Sequence, residues 1–168
     1  MEINTLFGLP AHPLIVHAAV VFVPLAAIMT LVALAPKLRP MFAPLALVFA
    51  VIALGSVGLA QGSGEQLERR VDETELVEAH TEMGESVLPW AVLVTVTAAG
   101  LTFAGPIGKR VPKVTPKALG AGLAVLSVVG AAGATVSVVR VGHSGAKAAW
   151  DDTAIVTPAV GDADHDDD

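Results

Sequence analysis

Four histidines carry the chemistry open to this sequence. His12 and His17 sit at the start of one apolar run, His80 precedes another, and His143 follows a third. Imidazole nitrogens bind haem iron, zinc and copper, and near neutral pH they also act as proton-switchable hydrogen-bonding groups. His12 precedes Pro13, which disfavours helical backbone at His12 and is expected to leave it outside the helix proper. His17 is five residues further on, about 140° around an ideal helix, so the two reach one small ion only if His12 is non-helical. His17 lies in the apolar run Leu14-Ile15-Val16-His17-Ala18-Ala19-Val20, where a histidine ordinarily faces a partner or a cavity. His80 falls on a helical stripe with Leu76, Met83, Gly84, Val87 and Ala91. His143, between Gly142 and Ser144-Gly145, reads either as a ligand or as a cation at a helix C-terminus. His165 lies among aspartates and reads as solvated.

Three kinds of site suit this set. A b-type haem takes two axial histidines from facing helices, a geometry that four-helix bundles supply. His17 with His80 is the preferred pair, His17 with His143 the next, and His12 also qualifies. Arg69, Arg70 and Arg140 are available to the haem propionates. A compact zinc or copper site would instead draw on His12, His17, His80 and His143, with Glu78 or Glu82 as carboxylate partners. The third possibility needs no cofactor: a hydrogen-bonded histidine cluster at the mouth of the bundle. The residues alone leave haem and metal level.

Other chemistries find no support. The chain has no cysteine, which removes disulfides, thiolate ligands, iron–sulfur clusters and covalent c-type haem attachment. There is no phosphate loop or dinucleotide fingerprint. Ser144 beside His143 lacks an oriented base and so is not a nucleophile constellation. Serine and threonine within the apolar runs are expected to bond their own helix backbone. An electron carrier or accessory protein is therefore expected rather than a stand-alone enzyme, and nothing suggests a nucleic-acid partner.

The elements that must position the histidines are membrane helices. Of the 168 residues 54 % are hydrophobic, mostly Ala, Val and Leu. Four apolar runs, 14–35, 41–60, 87–104 and 118–139, contain no Asp, Glu, Lys or Arg. Each is long enough to cross a hydrocarbon layer of about 30 Å, and only helices satisfy their backbone there. The expected fold is all-α: an integral membrane four-helix bundle in a lipid bilayer. Its helices span about 13–35, 41–61, 72–104 and 117–141 within a domain of residues 1–150, followed by an acidic, disordered tail at 151–168. Pro36-Lys37-Leu38-Arg39-Pro40 and a turn beginning at Gly105-Pro106-Ile107-Gly108 connect the hairpins, and Gly62-Ser63-Gly64 reads as a turn ending the second helix. Glycines 55, 58 and 62, and 120, 122, 130 and 133, form small-residue stripes expected to let helices approach within the bundle or between copies of the chain.

Charge divides by side. The two hairpin turns carry Lys37, Arg39, Lys109, Arg110, Lys113 and Lys117 and no acid. The other side holds all 16 acidic residues with only Arg69, Arg70, Arg140 and Lys147, together with every histidine. The positive-inside rule then puts the turns in the cytoplasm and both termini outside a bacterial plasma membrane. The acidic outer surface would suit a basic extracytoplasmic redox protein.

The run His12-Pro13-Leu14-Ile15-Val16-His17 at the head of four membrane helices, with His80 and the Gly142-His143-Ser144-Gly145 context, resembles a bacterial membrane family known as domain of unknown function 2231. The resemblance covers about residues 8–150. It implies a four-helix membrane fold with histidines at corresponding places. Some relatives carry fused Rieske-type or cytochrome domains, which implies electron transfer and favours haem b over zinc or copper. This chain has no such fusion, so a redox partner, or a larger respiratory-type membrane complex, would be separate.

Overall fold

The computed structural model describes residues 5–6, 9–71, 74–110 and 115–150. Two short strands, β1 (Thr5–Leu6) and β2 (Leu9–Pro10), pair antiparallel ahead of the helices. Five helices follow: α1 (Ala11–Val32), α2 (Arg39–Glu68), α3 (Glu75–Glu85), α4 (Val87–Arg110) and α5 (Pro116–Trp150). Taking α3 with α4, four helical segments are long and apolar enough to cross a membrane. α1 packs on α2, α2 on α4, α4 on α5, and α5 back on α1, which closes a four-helix ring; α3 lies along α5. The fold is an all-α membrane bundle, as its composition implies.

Its core is built from small residues. Ala26, Ala46, Ala50, Ala98 and Ala134 are buried with Val23, Val57 and Val94, while Val21, Ile28, Val125 and Val139 stand exposed on the outside. A soluble bundle would reverse this order. With lipid outside, large side chains gain nothing by turning inward, and alanine lets backbones approach closely enough for dispersion contacts. The buried threonine hydroxyls bond their own helix: Thr30 donates to the Ala26 carbonyl at 2.7 Å and Thr97 to that of Val94 at 3.0 Å. Thr95 donates to Ala91 at 2.8 Å and reaches Ala50 of α2 at 3.3 Å. At the end of α1, Arg39 donates to the carbonyls of Ala33 and Leu34, a cation on the negative end of a helix.

Several boundaries differ from the sequence expectation, each for a local reason. His12 is helical. Pro13 falls in the first turn of α1, where backbone donors have no helical acceptor, so the proline costs no bond there. Gly62-Ser63-Gly64 is not a turn but lies inside α2, which continues to Glu68 through the helix formers Glu65-Gln66-Leu67-Glu68. α4 runs through Gly105-Pro106-Ile107-Gly108 to Arg110, because one proline removes only one backbone donor. α5 passes through His143 to Trp150; no proline interrupts it after Pro116, and α3 packs beside it.

The third expected helix is instead two. Ser86 turns the chain between α3 and α4, and Pro89 cannot donate to the Glu85 carbonyl. Gln61 of α2 approaches both the Gly84 and Glu85 carbonyl oxygens, at 3.3 and 3.4 Å. At its other end α3 is capped by Thr74, whose hydroxyl accepts from the Val77 N–H at 3.3 Å. The expected start of this helix at Asp72 lies outside the described residues, as do residues 111–114 of the second turn and the tail at 151–168 with His165. The glycines divide as well. Gly130 packs against Leu93 and Gly133 against Trp90, whereas Gly55, Gly58, Gly62, Gly120 and Gly122 would each have open space around an added Cβ. Only the former two of these permit close approach within the bundle.

Candidate functional site

The start of α1, the end of α2, α3 and the end of α5 meet at the bundle end away from the hairpin turns. Two histidines there are held in the same way. His12 Nδ1 is 3.1 Å from Ser63 Oγ, and His80 Nδ1 is 3.0 Å from Ser144 Oγ. Each serine lies near the far end of the hairpin that its histidine begins, 51 and 64 residues later. Each is followed by a glycine that touches the same ring. A Cβ on Gly64 would lie 3.1 Å from His12 Cε1, and one on Gly145 would lie 2.9 Å from His80 Cε1. The glycines let imidazole lie against helix backbone. Ser63 and Ser144 are buried, and the two rings are partly buried.

The bonding pattern selects a tautomer. His12 Nδ1 is also 3.0 Å from the Ala60 carbonyl oxygen, which can only accept, so Nδ1 carries the proton. The Ser144 hydroxyl has one proton and lies 2.9 Å from the Val141 carbonyl oxygen. Donated there, that proton leaves Ser144 Oγ to accept from His80 Nδ1–H. Ser63 Oγ likewise reaches Ala60 O at 3.1 Å. In the neutral form His12 then has a bare Nε2, the atom that ligates metals or accepts protons, and so does His80 when Ser144 donates to Val141.

The remaining candidates sit differently. His17 is exposed, and its Nδ1–H donates to the Pro13 carbonyl of its own helix. His143 is exposed; adjacent to inward-facing Ser144, it projects about 100° away around α5. Arg140 is exposed four residues before Ser144, and Arg69 and Arg70 are exposed where α2 ends. Glu78 and Glu82 are exposed on α3. Thus His12 and His80 turn inward onto serines of α2 and α5, while His17 and His143 point out of the bundle.

Sequence reasoning missed Ser63, Gly64, Gly145 and the bond made by Ser144. A signal for them existed: the pair Ser-Gly recurs near the end of each hairpin, at Ser63-Gly64 and Ser144-Gly145, and each hairpin is headed by a histidine.

No curated protein and no solved structure matches this chain. A family model does, over residues 8–158, which takes in all five helices and both histidine–serine pairs. The chain belongs to the family described as predicted membrane protein, DUF2231.

Proposed function

We propose that this protein is a membrane-embedded b-type haem protein that transfers single electrons, with His12 and His80 as the residues that would hold the haem. The matched geometry of those two rings carries the reading. Haem brings four equatorial nitrogens of its own and asks the protein for two more. A zinc or copper site would need three or four protein ligands. Among the described residues no three His, Asp or Glu side chains converge. Fixed Nδ1 atoms and free Nε2 atoms are the donor chemistry that axial ligation requires, and the glycine beside each ring gives it room. This pair replaces His17 with His80, because His17 faces outward.

When bound, the haem would supply reversible one-electron chemistry. The chain's own residues hold the two rings, and Arg140, Arg69 and Arg70 offer cations at the same end for propionates. The charge partition supports an orientation with this end outside a bacterial plasma membrane and the lysine- and arginine-bearing turns in the cytoplasm. Electrons would pass between a membrane donor such as a quinol and a separate extracytoplasmic protein.

Protein purified in detergent is expected to show a Soret band, with visible bands that sharpen on dithionite reduction. His12→Ala and His80→Ala should each abolish the six-coordinate spectrum, while His17→Ala should keep it. A well-folded, colourless preparation that takes up no added haemin would overturn the proposal.

A further inference from the structure

We infer that Ser63 and Ser144 are a matched pair of positioning residues that hold His12 and His80 in the Nδ1–H form and so leave each ring a bare Nε2 with which to bind a ligand. The haem reading above enters only as the identity of that ligand. The two serines occupy equivalent places in two hairpins, α1–α2 and α3/α4–α5. Each hydroxyl is buried, each is one bond from its own helix carbonyl, and each is one bond from the histidine that heads its hairpin. A serine that only filled space would not need this position twice.

Neutral histidine left to itself prefers the Nε2–H form, which would turn an N–H, not a lone pair, towards a ligand. A hydroxyl whose proton is already donated to the Val141 carbonyl reverses that preference, because it can only accept. The two halves are not equally dependent on it. His12 Nδ1–H has a second acceptor in the Ala60 carbonyl, whereas among the described residues Ser144 is the one polar group bonded to His80. Loss of Ser144 should therefore matter more than loss of Ser63.

The test uses the 168-residue chain, 15N-labelled at histidine and purified without haem, at a pH about two units above the ordinary histidine value of about 6.5. Five histidines are few enough to assign by single substitution. His12 and His80 should both give the Nδ1–H pattern. In Ser144→Ala the His80 signals should move to the Nε2–H pattern, with His12 unchanged; in Ser63→Ala His12 should move little. Ser144→Thr, which keeps the hydroxyl, should restore His80. Haemin titrated into the same samples should bind Ser144→Ala on the order of 10- to 100-fold more weakly than the parent, the usual scale for removing a ligand's hydrogen-bond partner. An Nε2–H pattern for His80 in the parent protein, or an unchanged pattern or haemin affinity in Ser144→Ala, would overturn the inference. If the tautomers behave as stated and haemin binds nowhere, the positioning role stands and the haem reading falls.

Discussion

Glycine beside an imidazole is a test of whether the ring's place matters. At Gly145 an added Cβ would lie 2.9 Å from His80 Cε1, too close for the ring to stay where it is. The nearby Gly142 is exposed in the same helix and has nothing within 4 Å of such a Cβ. Replacing either by alanine raises helix propensity by about 0.8–1 kcal/mol. Gly142→Ala is therefore expected to raise thermal stability in detergent and leave ligand binding alone. Gly145→Ala should gain little stability, because the same increment is offset by displacing His80, and should weaken haemin binding. Thermal unfolding and haemin titration of the two variants separate these effects. At this scale the sequence was legible in part. His12 and His80 stood out as polar residues at the edges of apolar runs, but their pairing did not. α1 is apolar on nearly every face, so no amphipathic phase tells which of His12 and His17 turns inward. Ser63 was hidden for a different reason: flanked by two glycines, it looked like a turn.

Elements show where local rules were enough and where packing overrode them. The hydrocarbon-crossing runs were readable because lipid forces every backbone group into a helix. Helix ends in water are set by weaker terms. The extension of α5 to Trp150 goes with its packing against α3, which no window of sequence contains. The α3–α4 junction depends on such a contact. Gln61 donates to the Gly84 carbonyl and to that of Glu85, which Pro89 leaves without a helical donor. Gln61→Ala should then cost about 0.5–1.5 kcal/mol, the net worth of an ordinary hydrogen bond. Because α3 carries His80, the loss should show as faster amide exchange across Glu75–Glu85 than in the parent, with α4 unaffected. Deeper in the bundle, Gly133 lies under the Trp90 ring, and Gly133→Ala must move that ring or part the helices. The expected cost is about 1–3 kcal/mol, whereas Gly120→Ala, where space is open, should cost nothing and gain helix propensity as Gly142→Ala does. Equal melting temperatures for the two variants would contradict this register of α4 on α5.

For the whole molecule, two properties follow from one distribution of residues. Small side chains inside and large apolar ones outside make a bundle that needs lipid around it, and this was evident from the composition. The fold fixes which ends lie together but not which faces the cytoplasm; that depends on charge. One end has exposed cations at Lys37 and Lys117, and the other has exposed acids at Glu75, Glu78, Glu82 and Glu85. Positive charge near a span resists translocation much more than negative charge does, so the proposed orientation leaves the lysine end inside. The absence of cysteine makes this simple to examine, since any introduced thiol is unique. Glu75→Cys and Lys117→Cys both replace exposed, singly placed charges at opposite ends. In intact cells a membrane-impermeant maleimide should label Glu75→Cys readily and Lys117→Cys only after permeabilisation. The reverse pattern would put the histidine–serine pairs on the cytoplasmic side. The proposed extracytoplasmic electron acceptor would then have to be replaced by one in the cytoplasm, while the geometry of the two rings would be unchanged.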